Sequence, residues 1–245
     1  MGMLGKPRFL AAGESALVVE FGATIDPEIH DCVLALDEAI RLANFEGITE
    51  TVPTYRSLMI HFDPRKLMLE ALIDSVAKLA CVAAPSEVRR QRWHIPACYD
   101  APHGEDLAEA ATFLGLPQER VIGLHLGANY RVYMYGFAPG WTFLGGLPPA
   151  LTLPRRATPR APAPEGSLLI AAGQALIASC AMPTGWYVLG RTPVKMFDPC
   201  RPQVFLANIG DEICFERIDP AAFDVLLGKV QAGERIARAE ILDES

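Results

Sequence analysis

Two short segments of the sequence place arginines beside Gly-Pro turns. Arg155, Arg156 and Arg160 lie in PRRATPR, and Arg191 and Thr192 lie in GRTP. The guanidinium group presents a planar fork of donors that matches the two oxygens of a carboxylate or a phosphate. Each arginine alone would be interpreted as a surface charge, but their repeated placement beside stiff turns predicts a site for a small anion.

Two further side chains could take part in chemistry at such a site. His125 ends the segment VIGLHLG, and histidine is the side chain best suited to proton transfer near neutral pH. Gln174 is the amide in the apolar segment AAGQAL, where it could bind a ligand. The plainer interpretations stay open, because a histidine near a helix end is often a capping or core residue and a glutamine can close a turn.

The segment from Tyr135 to Pro162 has a composition that regular secondary structure tolerates poorly. Its sequence is YGFAPGWTFLGGLPPALTLPRRATPRAP, with four Gly and six Pro. Glycine lets the backbone turn at positive φ or approach a ligand closely, and proline stiffens the chain. We predict an irregular, rigid loop that forms one wall of the anion site. The alternative is that Gly and Pro only build the corners of a barrel.

Several catalytic and cofactor motifs are absent from the sequence. There is no P-loop and no dinucleotide fingerprint, so a nucleotide would have to bind in another way. No serine lies in a G-x-S-x-G elbow. The six cysteines form no C-x-x-C pair and have no histidine at ligand spacing, which predicts reduced thiols and no metal site.

Length and charge limit the remaining classes. A chain of 245 residues predicts two domains, and a net charge of −7 argues against a nucleic-acid surface. The N-terminal segment has no apolar run of signal-peptide length, and no window approaches the roughly 18 uninterrupted apolar residues of a membrane helix. We therefore expect a cytoplasmic protein that binds neither nucleic acid nor membrane.

The elements that must position these residues predict an α+β fold. Residues 1–85 contain strands at RFLAAG and SALVVEF, a helix after Asp26-Pro27, strands at ITETVPT and SLMIHF, and a helix opened by Asp63-Pro64. The order β-β-α-β-β-α is typical of a small α+β sandwich, with helices on one side of an antiparallel sheet.

A second domain is predicted over residues 92–245, after an Arg- and Pro-rich connection at 84–92. The helical segments DLAEAATFLG and PQERVIGLHLG precede an aromatic strand, NYRVYMYGF, and Asp219-Pro220 opens a final helix. Many short strands separated by Gly and Pro predict a closed β barrel. These strands are SLLIAA, QALIAS, WYVLG, VKMF, VFLAN and EICFER.

The ordered motifs resemble one known family. The chain carries GESALVVEFG, VPTYRSLMIHFDP and IPACY, followed by YRVYMYGFAPGW, LGGLP, PRRATPR and GRTP. This series covers about residues 12–217 and is similar to the family of KipI and the 5-oxoprolinase B subunit, which is also labelled allophanate hydrolase subunit 1. The family forms part of the carboxyltransferase domain, subdomain C and D, of urea carboxylase. The Ser-rich amidase signature expected of allophanate hydrolysis is missing here.

The resemblance implies an architecture and an activity. The second domain would be a cyclophilin-like β barrel, and the chain would belong to an ATP-dependent 5-oxoprolinase complex, a lactam hydrolase that converts 5-oxo-L-proline to L-glutamate. ATP would phosphorylate the lactam carbonyl oxygen to make a better electrophile. The partners would be a KipA-like C subunit and a LamB/YcsF-like A subunit, and the chain would be inactive without them.

The same resemblance assigns roles to particular residues. His125 would be the acid or base of the reaction. Four arginines would bind carboxylate or phosphate, and four other residues would orient the ligand. The arginines are Arg131, Arg155, Arg160 and Arg191, and the orienting residues are Tyr133, Phe137, Gln174 and Thr192.

Two other functions stay open. Half of a biotin-dependent carboxyltransferase would recognise biotin on a separate carrier, since the chain has no A-M-K-M motif, and a KipI-like regulator would inhibit a sensor histidine kinase. The sequence departs from the family pattern at residues 173–186, GQALIASCAMPTGW, where the usual Thr-Gly and Tyr-Pro are missing. We expect this segment to line the same face as the site, so the departure leaves the substrate open.

Overall fold

The computed structural model describes residues 6–82 and 90–242. The chain divides into two compact units, Met1–Val88 and Arg89–Ser245, and each is described by itself. Most of the predicted connection at 84–92 lies outside the described residues, as do the first five residues of the predicted N-terminal segment.

The first unit has the predicted order β-β-α-β-β-α, which is confirmed. Its strands form one antiparallel sheet in the order β1-β2-β4-β3. The elements are β1 (Arg8–Ala11), β2 (Ala16–Glu20), α1 (Pro27–Ala43), β3 (Ile48–Pro53), β4 (Ser57–Phe62) and α2 (Leu69–Val82).

Alternation along β4 explains the core of this unit. Leu58, Ile60 and Phe62 are buried, while the residues between them are partly exposed. Successive side chains of a strand point to opposite faces, so one face of the sheet is apolar. Both helices cover that face, with residues such as Leu36 of α1 and Val76 of α2 in the same apolar cluster.

The predicted start of the second helix at Asp63-Pro64 is wrong. Helix α2 begins at Leu69, and residues 63–68 form a turn instead. The Asp63 side chain accepts a hydrogen bond from the backbone N–H of Arg65 at 3.0 Å, and the Asp63 carbonyl accepts from Lys66 and Leu67. An aspartate that bonds to the backbone two residues onward stabilises a turn, and this competes with helix initiation.

The second unit contains a large, mostly antiparallel sheet. Its strand order is β12-β9-β10-β7-β6-β13-β5-β14, with β13 and β5 parallel, and β8 pairs separately with β11. The elements are β5 (Gln91–Ala97), α3 (Leu107–Leu114), α4 (Gln118–Leu126), β6 (Tyr130–Tyr135), β7 (Thr142–Gly145), β8 (Arg160–Ala163), β9 (Ser167–Ala171), β10 (Gln174–Ile177), β11 (Met182–Thr184), β12 (Tyr187–Arg191), β13 (Glu212–Arg217), α5 (Pro220–Gln231) and β14 (Arg238–Ile241).

The predicted closed, cyclophilin-like barrel is not confirmed. In the described part of the chain the sheet has two edge strands, β12 and β14. Cys98, just beyond β5, exchanges two hydrogen bonds of 2.8 Å with Arg191 at the end of β12. However, β14 pairs with one edge of β5 and β13 covers the other, so this bridge is not extended into a ladder. Strand β14 is short, polar and exposed, which is why no apolar pattern predicted it.

Two predictions about local structure in this unit are also wrong. The loop from Tyr135 to Pro162 is not irregular throughout, since it contains β7 and the start of β8. The predicted strands VKMF and VFLAN form a bridge between Phe197 and Phe205 rather than two strands. Pro199 and Pro202 lie in the connection between these two segments, and proline cannot donate a hydrogen bond to a ladder.

Strand β9 shows that the sheet is covered on both faces. All five of its residues are buried. Leu168 and Ile170 belong to the main apolar cluster, whereas Leu169 and Ala171 belong to a second cluster on the opposite face. Continuous burial of this kind is typical of a strand packed on both sides. The second cluster, which also contains Trp141 and Trp186, forms the floor of the candidate site.

Among the described residues, none of the helices combines the length and the apolar character needed to cross a bilayer.

The N-terminal cap of α1 can be tested by substitution. The Asp26 carboxylate accepts hydrogen bonds from the backbone N–H groups of Glu28 and Ile29 at 2.8 and 3.3 Å. We expect Asp26→Ala to lower the free energy of unfolding by about 1 kcal/mol, because two donors lose their acceptor. Asp26→Asn keeps an acceptor and is the control. Urea unfolding curves that shift equally for both variants would contradict the capping role.

Candidate functional site

A cavity of about 310 Å³ lies against the second apolar cluster. Its walls are mainly aromatic and comprise Phe137, Trp141, Phe143 and Trp186. We call it the aromatic cavity. Its volume is at the low end of the range of about 300–1,000 Å³ that is typical of small-molecule sites.

Three polar side chains line the aromatic cavity, namely Arg155, Gln174 and Thr184. The Thr184 hydroxyl oxygen accepts a hydrogen bond from the backbone N–H of Trp186 at 3.2 Å, so its own O–H can still be donated. No aspartate or glutamate is among the described residues that line the cavity. Its electrostatic character therefore comes from one cation, Arg155.

The backbone on both sides of Arg155 is fixed by hydrogen bonds. The carbonyl of Leu153 accepts from the N–H of Ala172 at 2.7 Å, and the N–H of Arg156 donates to the carbonyl of Gly185 at 2.8 Å. The Arg155 side chain itself is exposed and has no hydrogen-bond or ion-pair partner within the described ranges. These two hydrogen bonds thus hold the backbone around Arg155 in place, and the Arg155 guanidinium is available to a ligand.

The neighbouring arginines are engaged by acidic residues outside the cavity. Arg156 pairs with Asp106 at 3.0 Å and with Glu109, and its guanidinium lies 4.3 Å from the centre of the Tyr187 ring. Arg160 pairs with Glu105 and Asp106. The predicted anion-binding role of Arg160 stays untested, but its donors are occupied within the chain.

Asp106 is the carboxylate that holds this arrangement together. Asp106 is 8% exposed, and its Oδ2 accepts from the backbone N–H of Val188 at 2.8 Å in addition to pairing with Arg156 and Arg160. The backbone N–H of Asp106 in turn donates to the carbonyl of Val188 at 2.9 Å. No motif in the sequence marked Asp106, because its partners are about 50 to 80 residues away along the chain.

Phe137 lies at the rim of the aromatic cavity in an unfavourable backbone conformation. Its φ angle is 66°, it is 74% exposed, and its ring centre is 5.1 Å from that of Trp141. Positive φ in a bulky residue is a strained state that usually persists for a functional reason. The indole N–H of Trp141 is buried and has no hydrogen-bond acceptor among the described residues.

Arg191 and Thr192 lie elsewhere in the second unit. They line a separate cavity of about 230 Å³ against α5, which contributes Phe223 and Leu227. The Arg191 guanidinium donates to the carbonyl of Glu165 at 2.9 and 3.2 Å, and burial lowers its pKa. The fold therefore separates this predicted pair from Arg155 and Gln174, and its binding role stays a prediction.

Arg131 and Tyr133 are on strand β6 and do not line the aromatic cavity. The Arg131 guanidinium lies 5.7 Å from the centre of the Tyr133 ring. The ring of Tyr133 is packed so closely over Gly145 that a Cβ at Gly145 would come within 2.3 Å of it. This packing explains the glycine at that position.

His125 is part of the main apolar core. It is 1% exposed, its Nδ1 is 2.8 Å from the hydroxyl oxygen of Tyr99, and its ring stacks on Phe215 at 4.9 Å. The hydroxyl of Tyr130 donates to the His125 carbonyl at 3.2 Å. Burial lowers the pKa of His125 to about 3, so the imidazole is neutral at pH 7. The predicted acid or base is thus not among the cavity residues.

The segment at 173–186, which departs from the family pattern, lines the aromatic cavity. It contributes Gln174, Leu176, Pro183, Thr184 and Trp186. Trp141 and Trp186 occur in the sequence motifs, yet no role could be assigned to them before the fold brought them together. Among the described residues, no group of three or more His, Cys, Asp or Glu side chains is placed to hold a metal ion.

Comparison with known proteins identifies the family. The family model described as carboxyltransferase domain, subdomain C and D, matches residues 7–207. The 5-oxoprolinase B subunit of Bacillus subtilis (strain 168) is 35% identical over 217 residues, which cover 84% of this chain and 90% of that protein. The chain belongs to the carboxyltransferase subdomain C and D family. The 5-oxoprolinase B subunit of Escherichia coli O157:H7 is 32% identical over 211 residues, covering 86% and 95% of the two chains.

A solved member of the same fold is the urea carboxylase of Kluyveromyces lactis. It matches 96% of this chain with a TM-score of 0.82 and 17% identity. At that identity the likeness shows the fold alone. The chain spans only 24% of the urea carboxylase chain.

The role of Asp106 in this family member can be tested through stability. We expect Asp106→Asn to lower the free energy of unfolding by about 2 kcal/mol, because Arg156 and Arg160 would lose their shared, mostly buried carboxylate and keep only the more exposed Glu109 and Glu105 as acidic partners. Glu109→Gln is the matched control and should cost less than about 1 kcal/mol, since the Glu109 side chain is 55% exposed. Equal urea midpoints for the two variants would show that Asp106 does not hold the loop.

The burial of His125 predicts a specific pH dependence. Its pKa is about 3 in the folded chain and about 6.5 in the unfolded chain, so between these values the unfolded state binds the additional proton. The free energy of unfolding should therefore fall as the pH drops below about 6.5, by about 3 kcal/mol between pH 7 and pH 4. In His125→Gln this contribution should disappear, whereas His61→Gln, a control on β4, should retain it. The free energy of unfolding should be measured by urea unfolding at pH 7 and pH 4 for the unsubstituted chain and both variants. An equal decrease in all three proteins would refute this account.

Proposed function

We propose that this chain is the B subunit of an ATP-dependent 5-oxoprolinase complex that opens 5-oxo-L-proline to L-glutamate. The observation that carries this proposal is the match to two proteins named as 5-oxoprolinase B subunits, over 84–86% of this chain and at least 90% of theirs. Matches that nearly span both chains support a shared role more strongly than a match to one motif.

The aromatic cavity supports a role in binding a small molecule. It combines a compact volume, aromatic walls and a few polar groups, which is the usual constitution of a ligand site. A regulator that acts only through a flat surface would have no need of a strained Phe137, or of a guanidinium without a partner among the described residues, at such a cavity. The kinase-inhibitor hypothesis therefore has less support from the geometry.

The lining of the cavity also supports dependence on partners. Within the described residues, it includes no His, Cys, Asp or Glu that could take up a proton near neutral pH. Hydrolysis of a lactam requires such a group, so in this proposal the chain positions the substrate and its partners supply the acid or base. A KipA-like C subunit and a LamB/YcsF-like A subunit are the proposed partners.

The aromatic cavity does not fit a triphosphate. A nucleotide phosphate chain requires several donors or a glycine-rich cradle, and the cavity offers one free guanidinium, because Arg156 and Arg160 are paired within the described part of the chain. We therefore derive no step of the reaction through ATP at this cavity and propose that the ATP site involves the partner subunits.

Reconstitution tests the proposed function. Glutamate release from 5-oxo-L-proline should be measured with ATP in a mixture of this chain and the proposed A and C subunits, with each component omitted in turn. We expect turnover only in the complete mixture, and none from this chain alone. A complete mixture that releases no glutamate would overturn the proposal. Carboxyl transfer from a biotin carrier would then be assayed, since the family description names a carboxyltransferase domain.

A further inference from the structure

The aromatic cavity combines a single positive charge with an otherwise uncharged lining. Arg155 has no partner among the described residues, and the lining that the structure describes includes no carboxylate. The two nearest arginines along the chain are neutralised by Asp106, Glu105 and Glu109. One ligand carboxylate would compensate the charge at Arg155, and a guanidinium binds such a group through two parallel hydrogen bonds.

The remaining surface fits a compact, uncharged ring. Aromatic walls pack against flat apolar groups, and a ring bound there would displace water from them. Gln174 offers an amide with donors and an acceptor, and the Thr184 O–H can be donated because its oxygen already accepts from Trp186. A lactam carries one carbonyl acceptor and one N–H donor, so both of its polar groups have complementary types of partner in this lining.

An ammonium group would be unfavourable in the same cavity. No described lining residue has a negative charge to pair with it, and it would be held close to the guanidinium of Arg155. Aromatic faces attract cations, but that attraction is weak beside a fixed like charge. The charge pattern therefore separates acids that carry a free amine from those that do not.

We propose that the aromatic cavity binds a small cyclic monocarboxylate through Arg155 and rejects acids that carry an ammonium group. The identification of this ligand as 5-oxo-L-proline rests on the proposed function. Lactam hydrolysis adds water across the C–N bond and yields a second carboxylate and an ammonium group. The ammonium has no opposite charge in the described cavity lining, and the second carboxylate finds only Arg155, which already binds the first, so the residues that select the substrate disfavour the product.

Binding to the full 245-residue chain tests the proposal in the absence of its partners. Titration calorimetry should compare 5-oxo-L-proline, L-glutamate, L-proline and cyclopentanecarboxylate. L-Proline and cyclopentanecarboxylate form a matched pair, because the ring ammonium of L-proline is a methylene group in cyclopentanecarboxylate. We expect 5-oxo-L-proline to bind at least about tenfold more tightly than L-glutamate, and cyclopentanecarboxylate to bind more tightly than L-proline.

Variants connect that selectivity to Arg155. Arg155→Ala should weaken binding of 5-oxo-L-proline about ten- to a hundredfold, because a charge-assisted hydrogen bond is lost, and Arg155→Lys should restore part of the affinity. Arg120→Ala is the control, since Arg120 is exposed on α4 and does not line the cavity. Thermal unfolding of each variant verifies that the fold is intact.

The outcomes separate this inference from the proposed function. Unchanged binding in Arg155→Ala, preference for L-proline or L-glutamate, or no binding of any of the four acids would overturn the inference, even if the reconstituted complex released glutamate. Selective binding to the chain that depends on Arg155, together with a complete mixture that releases no glutamate, would support the proposed ligand selectivity of the aromatic cavity. It would reject the 5-oxoprolinase assignment.

Discussion

The carboxylate of Asp106 is the interaction on which the candidate site depends. It accepts a hydrogen bond from the backbone N–H of Val188 in β12 and pairs with Arg156 and Arg160, which follow Arg155 in the segment PRRATPR. Because the group is mostly buried, its attraction for the two guanidinium groups is little screened by water. These contacts, together with the hydrogen bond from Arg156 to Gly185, fix the loop against the sheet. The loop can then present Arg155 without any acidic neighbour in the described lining of the cavity.

The second constraint is the coverage of the sheet on both faces. One face carries the main core, with His125, Tyr99 and Phe215, and the other carries the smaller cluster beneath the aromatic cavity. His125 is on α4, which packs on the first face, so the sheet separates it from the aromatic cavity on the other face. This explains why a histidine suited to proton transfer is a structural residue here, while two tryptophans with no evident chemistry form walls of the cavity.

The charge distribution connects this architecture to function. Many arginines of the second unit are used within the chain, for example Arg92 with Glu212 and Arg217 with Glu119. An arginine that is left unpaired beside aromatic walls costs little stability when it is exposed, and it provides a strong binding group when a carboxylate displaces water. Because of such an arginine, a protein with an overall negative charge can still carry a selective site for a small anion.

The sequence by itself determined the family, the order of elements in the first unit and the helix start at Asp26-Pro27. These features depend on local chemistry or on motifs, and both can be identified in a linear chain. The sequence also indicated Arg155, Phe137 and Gln174, which the fold does bring to one cavity. The sequence could not show that Arg191 and Thr192 line another cavity, because Arg191 also lies beside a Gly-Pro turn, as Arg155 does.

Only the tertiary structure decided which of Arg155, Arg156 and Arg160 lacks a partner among the described residues, which faces of the sheet are buried and whether the sheet closes. The partners of Arg156 and Arg160 lie on or near a helix about 50 residues earlier in the chain. Strand β14, near the C-terminus, pairs with the edge of β5. Such contacts leave no periodic pattern in the sequence. They depend on the distance between groups in space, and that distance determines the energy of an ion pair and the possibility of a hydrogen bond.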